Sequence, residues 1–358
     1  MNEARRGGPV RRIATGPVGR VGLPLLVVAA IFAGVLPRLT SYSAAWHLVQ
    51  GLSRSEVLLI AVLATLNLAS YAPLWMAAIP GLGWWRATLA EQASTAVANT
   101  VPVGFTFGVG TVAAIFHSFG LSAATITRGI ALTGLWNNLV KLGMPAVALA
   151  GLAVTGDVTS GLLFAAVLGA ALLLVVVAVL VLVLTHPAAG AAVALVGERL
   201  LGRLARLAHR PGPSGWVVAV DRFRTDSLAL VRSRWPLLTV AAVGSHVALF
   251  ALLLACVRLV DGAGSEVDWL RVLAVFAVTR LLTMVPITPG ALGVAELSYV
   301  AGLTAVGMNS SAAGAAVLVF RFLTWFVPIP FGAVALLMWR RTAHVPPARP
   351  ARSTAAGV

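Results

Sequence analysis

Four charged side chains lie inside long apolar stretches of this sequence: Lys141, Arg280, Glu296 and Arg321. An ionised group in the hydrocarbon interior costs about 2.5 to 3.5 kcal/mol on insertion scales, so each one needs a partner, a wet cavity or a function. The planar guanidinium of arginine presents a fork of N–H donors that fits a phosphate. The residue types therefore indicate a site for an anionic lipid headgroup. In it, Arg280 and Arg321 bind the phosphate, and Glu296 orients them or contacts a cation on the headgroup.

A structural alternative uses the same charges. Arg280 and Glu296 would form an ion pair that only holds a helical hairpin closed. That pair satisfies two of the charges but leaves Arg321 without an obvious acidic partner in the sequence. The remaining arginine favours an anionic ligand, and both interpretations stay open at this point.

Two groups of helix-breaking residues accompany these charges: Pro102 with Gly104, and Pro289 with Gly290 and Gly293. A helix that restarts after such a break presents free N–H groups and a positive dipole end to an anion. Broken helices of this kind form the binding sites of many transporters. We therefore place the candidate site at the two breaks.

Two amides extend the candidate set. Asn99 precedes the first break, and Asn137 lies four residues before Lys141, so the latter two share one helix face. Ligand contact is the minority interpretation for Asn137 and Lys141, because buried amides more often bind neighbouring helices. The sequence shows no catalytic constellation and no metal-ligand spacing, and we expect no cofactor and no metal.

The composition excludes several classes of protein. Of 358 residues, 59% are hydrophobic and only 10% are charged, with a mean hydropathy of +0.95, which is too apolar for a water-soluble globule. Lys141 is the only lysine and follows Val140, so the Gly-Lys pair of a P-loop ATPase is absent. Cys256 is the only cysteine, which excludes intrachain disulfides and multi-cysteine zinc sites.

The elements that position these residues are predicted to be membrane helices. The fold class is all-α: a polytopic membrane protein with about six full spans and two broken segments, which form helical hairpins in an arrangement that an inverted repeat would have. Each hairpin is either re-entrant or a pair of full spans, since both return the chain to the same side. The hairpins cover residues 88–119 and 269–306, where proline and glycine interrupt apolar sequence. The predicted spans cover residues 21–36, 57–79, 126–154, 162–184, 236–257 and 312–338.

The basic residues predict the orientation of the single membrane domain, residues 21–338. The formal net charge is +15. The loop 185–235 contains eight arginines, and the tails 1–20 and 339–358 are also basic, so all three are expected in the cytoplasm of a bacterial inner-membrane protein. Between Glu198 and Arg210, the arginines recur every three or four residues and so do the leucines. This spacing places them on two different faces of one helix and predicts an interfacial amphipathic helix. Contact with anionic lipid explains the charge better than nucleic-acid binding.

Three segments resemble one known family. The stretch from Val285 to Glu296, with Pro286, Pro289 and Gly290, is similar to the proline- and glycine-rich landmark of the lysylphosphatidylglycerol synthase transmembrane-region family. Residues 321–328 and 99–104 resemble two further landmarks of that family. The sequence after residue 104 lacks the basic residue and the Gly-Glu pair that usually follow in the family. The resemblance implies a flippase-like membrane domain. The soluble aminoacyltransferase half is not seen, so we expect no lipid aminoacylation by this chain alone.

These observations lead to a functional hypothesis: a translocase that moves an anionic phospholipid or an isoprenoid-linked headgroup between leaflets. Its partners would be membrane lipids and a separate lipid-modifying enzyme. One alternative is a membrane-embedded transferase or an accessory subunit of a lipid- or glycan-modifying enzyme, which predicts a carboxylate dyad. The other is a scaffold that transports nothing, which predicts that the buried charges tolerate neutralisation.

Overall fold

The computed structural model is helical throughout the residues it describes, which are 50–101, 104–155, 160–207, 216–261, 267–284 and 289–343. No strand occurs among them, and the all-α prediction is confirmed. The helices are α1 Arg54–Ala69, α2 Ala72–Ala78, α3 Trp84–Thr100, α4 Gly104–Ser118, α5 Ala123–Thr155, α6 Ser160–Thr185, α7 Pro187–Leu207, α8 Trp216–Asp261, α9 Trp269–Leu282, α10 Val294–Ala305, α11 Ser310–Arg321 and α12 Pro328–Ala343. A π-helical turn, Phe322–Phe326, joins the last two.

Five helical runs are long and apolar enough to cross a membrane: Arg54–Ala78, Ala123–Val154, Ser160–Thr185, Val217–Val260 and Ser310–Thr342. They correspond to five of the six predicted spans. The remaining predicted span, residues 21–36, lies outside the described residues, as do the tail 1–20 and residues 344–358. The protein is therefore a multi-pass membrane protein.

The first described span is not continuous, which the sequence interpretation missed. α1 ends at Ala69, and α2 begins at Ala72 with Pro73 in its first turn. Proline has no N–H to donate to the carbonyl of Ala69, so the α-helical ladder stops there. The break places Tyr71 and the end of α1 beside the interior of the protein.

The loop between α6 and α8 is also more helical than predicted. The amphipathic helix was expected from Glu198 to Arg210, but α7 already begins at Pro187; residues 208–215 lie outside the described chain. α8 extends through the basic part of the loop and is 46 residues long. Arg224 fixes the start of α8 to α6 by donating to the Leu184 carbonyl at 3.0 Å.

The first broken segment forms an antiparallel hairpin, as predicted. A Cβ on Gly104 would overlap the backbone of Ala98, and one on Gly108 would lie 3.0 Å from Ser94 Oγ, so α3 and α4 are in backbone contact. At the open end, the Arg86 guanidinium stacks on the Phe119 ring at 5.2 Å. The chain therefore leaves this hairpin on the side where it entered.

The second broken segment forms a matching hairpin from α9 and α10. The Thr279 and Ser298 hydroxyls are 2.8 Å apart, and Phe276 stacks on Tyr299 with ring centroids 6.4 Å apart. A Cβ on Gly302 would lie 2.6 Å from Val275. The connection includes a 3₁₀ turn at Pro289–Ala291, while residues 285–288 lie outside the described chain.

The last span shows that the hairpins enter from opposite sides. α10 lies antiparallel to α11, with Tyr299 against Phe320 at 5.5 Å between ring centroids. α3 lies antiparallel to α12, where a Cβ on Gly332 would overlap the Gln92 carbonyl, and Trp339 donates to Ser118 Oγ at 2.8 Å. The open ends of the two hairpins therefore lie at opposite ends of the span formed by α11 and α12, as the inverted-repeat prediction requires.

Each hairpin is held by its own apolar core. Around the second hairpin, residues of α1, α8 and α11 pack with Phe276 and Tyr299. Around the first, residues of α2 and α12 pack with Ile115 and Phe116, and Trp75 meets Phe116 edge to face at 5.2 Å. The helices of each hairpin therefore pack into separate apolar clusters.

Candidate functional site

A cavity of about 410 Å³ lies where the two hairpin tips approach each other. Its wall combines residues of α1, α3, α4, α9, α10 and α11 with the 3₁₀ turn and the π-helical turn. Polar side chains are concentrated in it, which is unusual inside a membrane domain. They are Asn67, Tyr71, Glu91, Gln92, Thr95, Thr106, Arg280, Thr283, Arg321 and Thr324.

Arg321 is the last residue of α11 and is fixed by two contacts. Its Nε donates to Glu296 Oε1 at 2.6 Å, and its Nη2 donates to the Gly290 carbonyl at 2.8 Å. A guanidinium has five N–H donors, so these contacts leave donors for a ligand. Arg321 lines the cavity with its position determined by the second hairpin.

Glu296 is 2% exposed and does not line the cavity. It occupies the third position of α10, where its Oε2 accepts from the Gly293 backbone N–H at 2.7 Å. This capping interaction directs the carboxylate toward α11. Glu296 therefore orients Arg321, one of the two roles considered from the sequence.

The structural alternative, a pair of Arg280 with Glu296, is wrong, because Glu296 pairs with Arg321 instead. Arg280 lies in the last turn of α9 and lines the cavity. Among the described residues it has no acidic partner within ion-pair distance, and its buried Nε has no hydrogen-bond partner. Counting only the described residues, the cavity-lining cation without an ion-pair partner is thus Arg280 rather than Arg321.

The two tips meet at the π-helical turn. Asn99, the penultimate residue of α3, donates from Nδ2 to the Trp325 carbonyl at 3.0 Å. Gly290 has a φ of +57°, and a Cβ there would overlap the Trp325 indole and lie 2.9 Å from Asn99 Oδ1. The close approach leaves no room for a Cβ, so glycine is required here, and its freedom to adopt a positive φ suits the turn. Asn99 and Gly290, both predicted from the sequence, are brought together here.

The remaining breaks differ in what they offer an anion. The α4 helix starts at the cavity, which Gly104, Phe105 and Thr106 line, and its first-turn N–H groups have no partner within the helix. Gly293, which has a φ of +81°, is the N-cap residue of α10. The Glu296 side chain already accepts from its backbone N–H, so this helix N-terminus is capped. Pro289 begins the 3₁₀ turn, and Pro102 lies outside the described residues.

Lys141 and Asn137 are not among the residues that line the cavity. Both lie on α5 and are partly exposed. The structure therefore does not bring these two candidate residues to the cavity wall.

Sequence reasoning missed the wall opposite the arginines. Glu91, interpreted as interfacial, lines the cavity, where it accepts a hydrogen bond from Trp75 Nε1 at 2.6 Å. Asn67 and Gln92 line the same wall. The sequence signal was a carboxylate and two amides in otherwise apolar helices, but their approach to the second hairpin is a long-range feature.

The fold and the cavity define a multi-pass membrane protein with a charged, polar site between two opposed hairpins. The family model for the lysylphosphatidylglycerol synthase TM region matches residues 22–332, and the chain belongs to that family. The family indicates a membrane protein linked to lipid metabolism or translocation. No curated protein matches the chain.

Proposed function

We propose that this protein is a lipid translocase, which moves an anionic phospholipid or an isoprenoid-linked headgroup between the leaflets of the bacterial inner membrane. One observation supports this most directly. Arg280 is a cation inside the membrane domain that lines a cavity and has no acidic partner among the described residues. A buried charge of this kind marks an ion or substrate path, and a lipid phosphate is a suitable counterion.

The position of the cavity supports transfer rather than simple binding. It lies between the tips of hairpins that enter from opposite sides, so a headgroup bound there is midway across the protein. The cavity is partly open to its surroundings, and its wall residue Phe105 is 66% exposed. A headgroup in the cavity could therefore keep its hydrocarbon chains in the bilayer.

The alternatives lead to different expectations for the same residues. A transferase would need two carboxylates at the reacting centre, whereas Glu91 is the only carboxylate among the described residues that line the cavity. A scaffold would tolerate loss of the Arg280 charge. Neither alternative gives Arg280 a role.

The test is lipid exchange in liposomes that contain the purified protein and an acyl-labelled fluorescent phosphatidylglycerol. Arg280→Met should fold, because the Arg280 side chain makes no hydrogen bond or ion pair with another described residue, and should abolish exchange. Arg222→Met is the matched control, since Arg222 is exposed on α8, away from the cavity. Exchange at the wild-type rate in Arg280→Met would reject the proposal and favour the scaffold.

A further inference from the structure

Two of the described spans are broken, and both breaks line the cavity. The break between α1 and α2 contributes Leu68 and Tyr71 to the cavity wall, and the π-helical turn between α11 and α12 contributes Thr324. A proline follows each break, Pro73 in the first turn of α2 and Pro328 at the start of α12. Each lacks the N–H that a continuous α-helix needs, and its ring collides there with the carbonyl four residues earlier. The cavity therefore lies beside two interruptions of the helical backbone.

Each broken span changes its packing partners at the break. In the first described span, Ile60 of α1 packs in the apolar cluster of the second hairpin, whereas Trp75 of α2 packs in that of the first. The last span divides in the same way, with Phe320 of α11 in the second cluster and Ala335 of α12 in the first. We call α2, α3, α4 and α12 the first-hairpin group, and α1, α9, α10 and α11 the second-hairpin group. Both broken spans pass from one group to the other at the cavity.

Side-chain amides of α3 reach across to both breaks. Gln92 Nε2 donates to the Leu68 carbonyl at 3.1 Å, and Asn99 Nδ2 donates to the Trp325 carbonyl at 3.0 Å. The two amides are seven positions apart, about two helical turns, and so lie on the same face of α3. One helix of the first-hairpin group thus holds the backbone at both breaks.

From this arrangement we propose, resting on the proposed function, that the two breaks are paired hinges and that Gln92 and Asn99 are the latches that hold them. Hinges are a few residues at the ends of elements, and π-helical turns are frequent at functional sites. Arg280 and Arg321 belong to the second-hairpin group. Rotation of that group about the two breaks moves both cations relative to α3 and changes the shape of the cavity. The helices of each hairpin stay packed together during this movement.

The first test locks one hinge with a reversible cross-link. Asn99→Cys and Trp325→Cys are combined in a Cys256→Ser background, because the Asn99 and Trp325 side chains both approach Gly290. A short bis-methanethiosulfonate reagent joins the two thiols, and dithiothreitol releases them. We expect the cross-linked protein in liposomes to lose exchange of acyl-labelled phosphatidylglycerol and to recover it after reduction.

The matched control is a cross-link within one group. Thr279→Cys with Ser298→Cys joins α9 to α10, at a point where the two native hydroxyls are 2.8 Å apart. Neither residue lines the cavity. Because both helices belong to the second-hairpin group, this cross-link should leave exchange unchanged.

The second test releases a latch. Asn99→Leu removes the donor to the Trp325 carbonyl at similar side-chain volume. We expect it to speed thiol labelling of the cavity-wall variant Thr283→Cys, in a Cys256→Ser background, by roughly three- to tenfold, the range for one net hydrogen bond. Cys256 is 1% exposed in the native protein. In Asn99→Leu alone it should stay unlabelled, which excludes unfolding as the cause.

The outcomes separate this inference from the proposed function. Exchange that continues in the cross-linked Asn99→Cys, Trp325→Cys protein would overturn the hinges while leaving translocation intact. Loss of exchange in the cross-linked control would also overturn them, because any cross-link would then inhibit. Equal labelling of Thr283→Cys with and without Asn99→Leu would overturn the latch. A wild-type protein that moves no phosphatidylglycerol would overturn the proposed function and this inference together.

Discussion

At the scale of single residues, Glu296 and Arg321 have to be considered as a unit. The carboxylate is nearly inaccessible and accepts from both the Gly293 N–H and the Arg321 Nε. Removing one partner of a buried pair leaves an uncompensated charge, which costs about 3 to 5 kcal/mol. Replacing both partners with apolar groups of similar volume is often neutral.

We therefore expect Arg321→Met to lower the thermal midpoint of the protein in detergent strongly, and Glu296→Leu with Arg321→Met to recover most of that loss. The recovered double variant should still fail in lipid exchange, because a phosphate ligand is gone. Thermal unfolding and exchange are measured on the same preparations. A double variant that is stable and fully active would show that Arg321 only holds the hairpin.

At the scale of the elements, the hairpins depend on small residues at their helix contacts. A Cβ at Gly104 would overlap the carbonyl of Ala98, whereas Gly110 on the same helix has nothing within 4 Å of a built Cβ. Backbone cannot move aside as a side-chain tip can. Gly104 and Gly110 therefore provide a matched comparison within α4.

Gly104→Ala should destabilise the protein by about 1 to 3 kcal/mol, as overpacking does. Gly110→Ala should be neutral or stabilising by up to about 1 kcal/mol, because alanine is the better helix former. Denaturation in detergent of the two variants beside the wild type measures the difference. Equal stability of the two variants would mean that the hairpin helices are not in backbone contact.

The amphipathic helix α7 leads to a second prediction at this scale. Arg199 and Arg203 are exposed on α7, and each basic residue near an anionic surface contributes about 1 kcal/mol. A peptide of residues 187–210 in which both are glutamine should bind anionic vesicles about 30-fold more weakly, the equivalent of about 2 kcal/mol. Neutral vesicles provide the control. Unchanged binding to anionic vesicles would favour packing on the protein itself.

Much of the helical architecture follows from local sequence. Proline and glycine predicted both hairpins because clusters of the two residues disfavour a continuous helix, although single prolines such as Pro145 and Pro236 lie inside α5 and α8. The same reasoning overlooked Pro73, which breaks the first described span between α1 and α2. A proline fits the first turn of a helix but disrupts the interior of one. The sequence alone did not show where the helices of this span begin, so it did not show that Pro73 marks a break.

The site was only partly predictable. Arg280 and Arg321 were identified because charges in apolar sequence are conspicuous. The sequence left the partner of Glu296 open, because the choice depends on the α10 cap that turns the carboxylate toward α11. Asn67 and Glu91 were missed because their role depends on which helices meet, and the spacing of residues along one helix does not report that.

At the scale of the whole molecule, the opposed hairpins make the orientation testable. We expect both termini and the basic part of α8 to be cytoplasmic, and the loop between α10 and α11 to be outside. In a Cys256→Ser background, Thr225→Cys should resist an impermeant thiol reagent applied to intact cells, and Ser310→Cys should react with it. Both positions are exposed in the structure.

Lysed cells provide the control for this labelling, since both cysteines should then react. Labelling of Thr225→Cys from outside would reverse the predicted orientation. Labelling of both positions from the same side in intact cells would contradict the geometry, which places the two hairpin openings at opposite ends of α11 and α12.

The meeting of the hairpin tips midway along the last span has an electrical consequence. A charge held at that junction has crossed about half of the membrane potential, and a full crossing changes its energy by about 2.3 kcal/mol per 100 mV. An inside-negative voltage would therefore drive a monoanionic lipid outward in two nearly equal steps, whereas a zwitterionic lipid would not respond. The voltage dependence of exchange thus reports the net charge of the cargo.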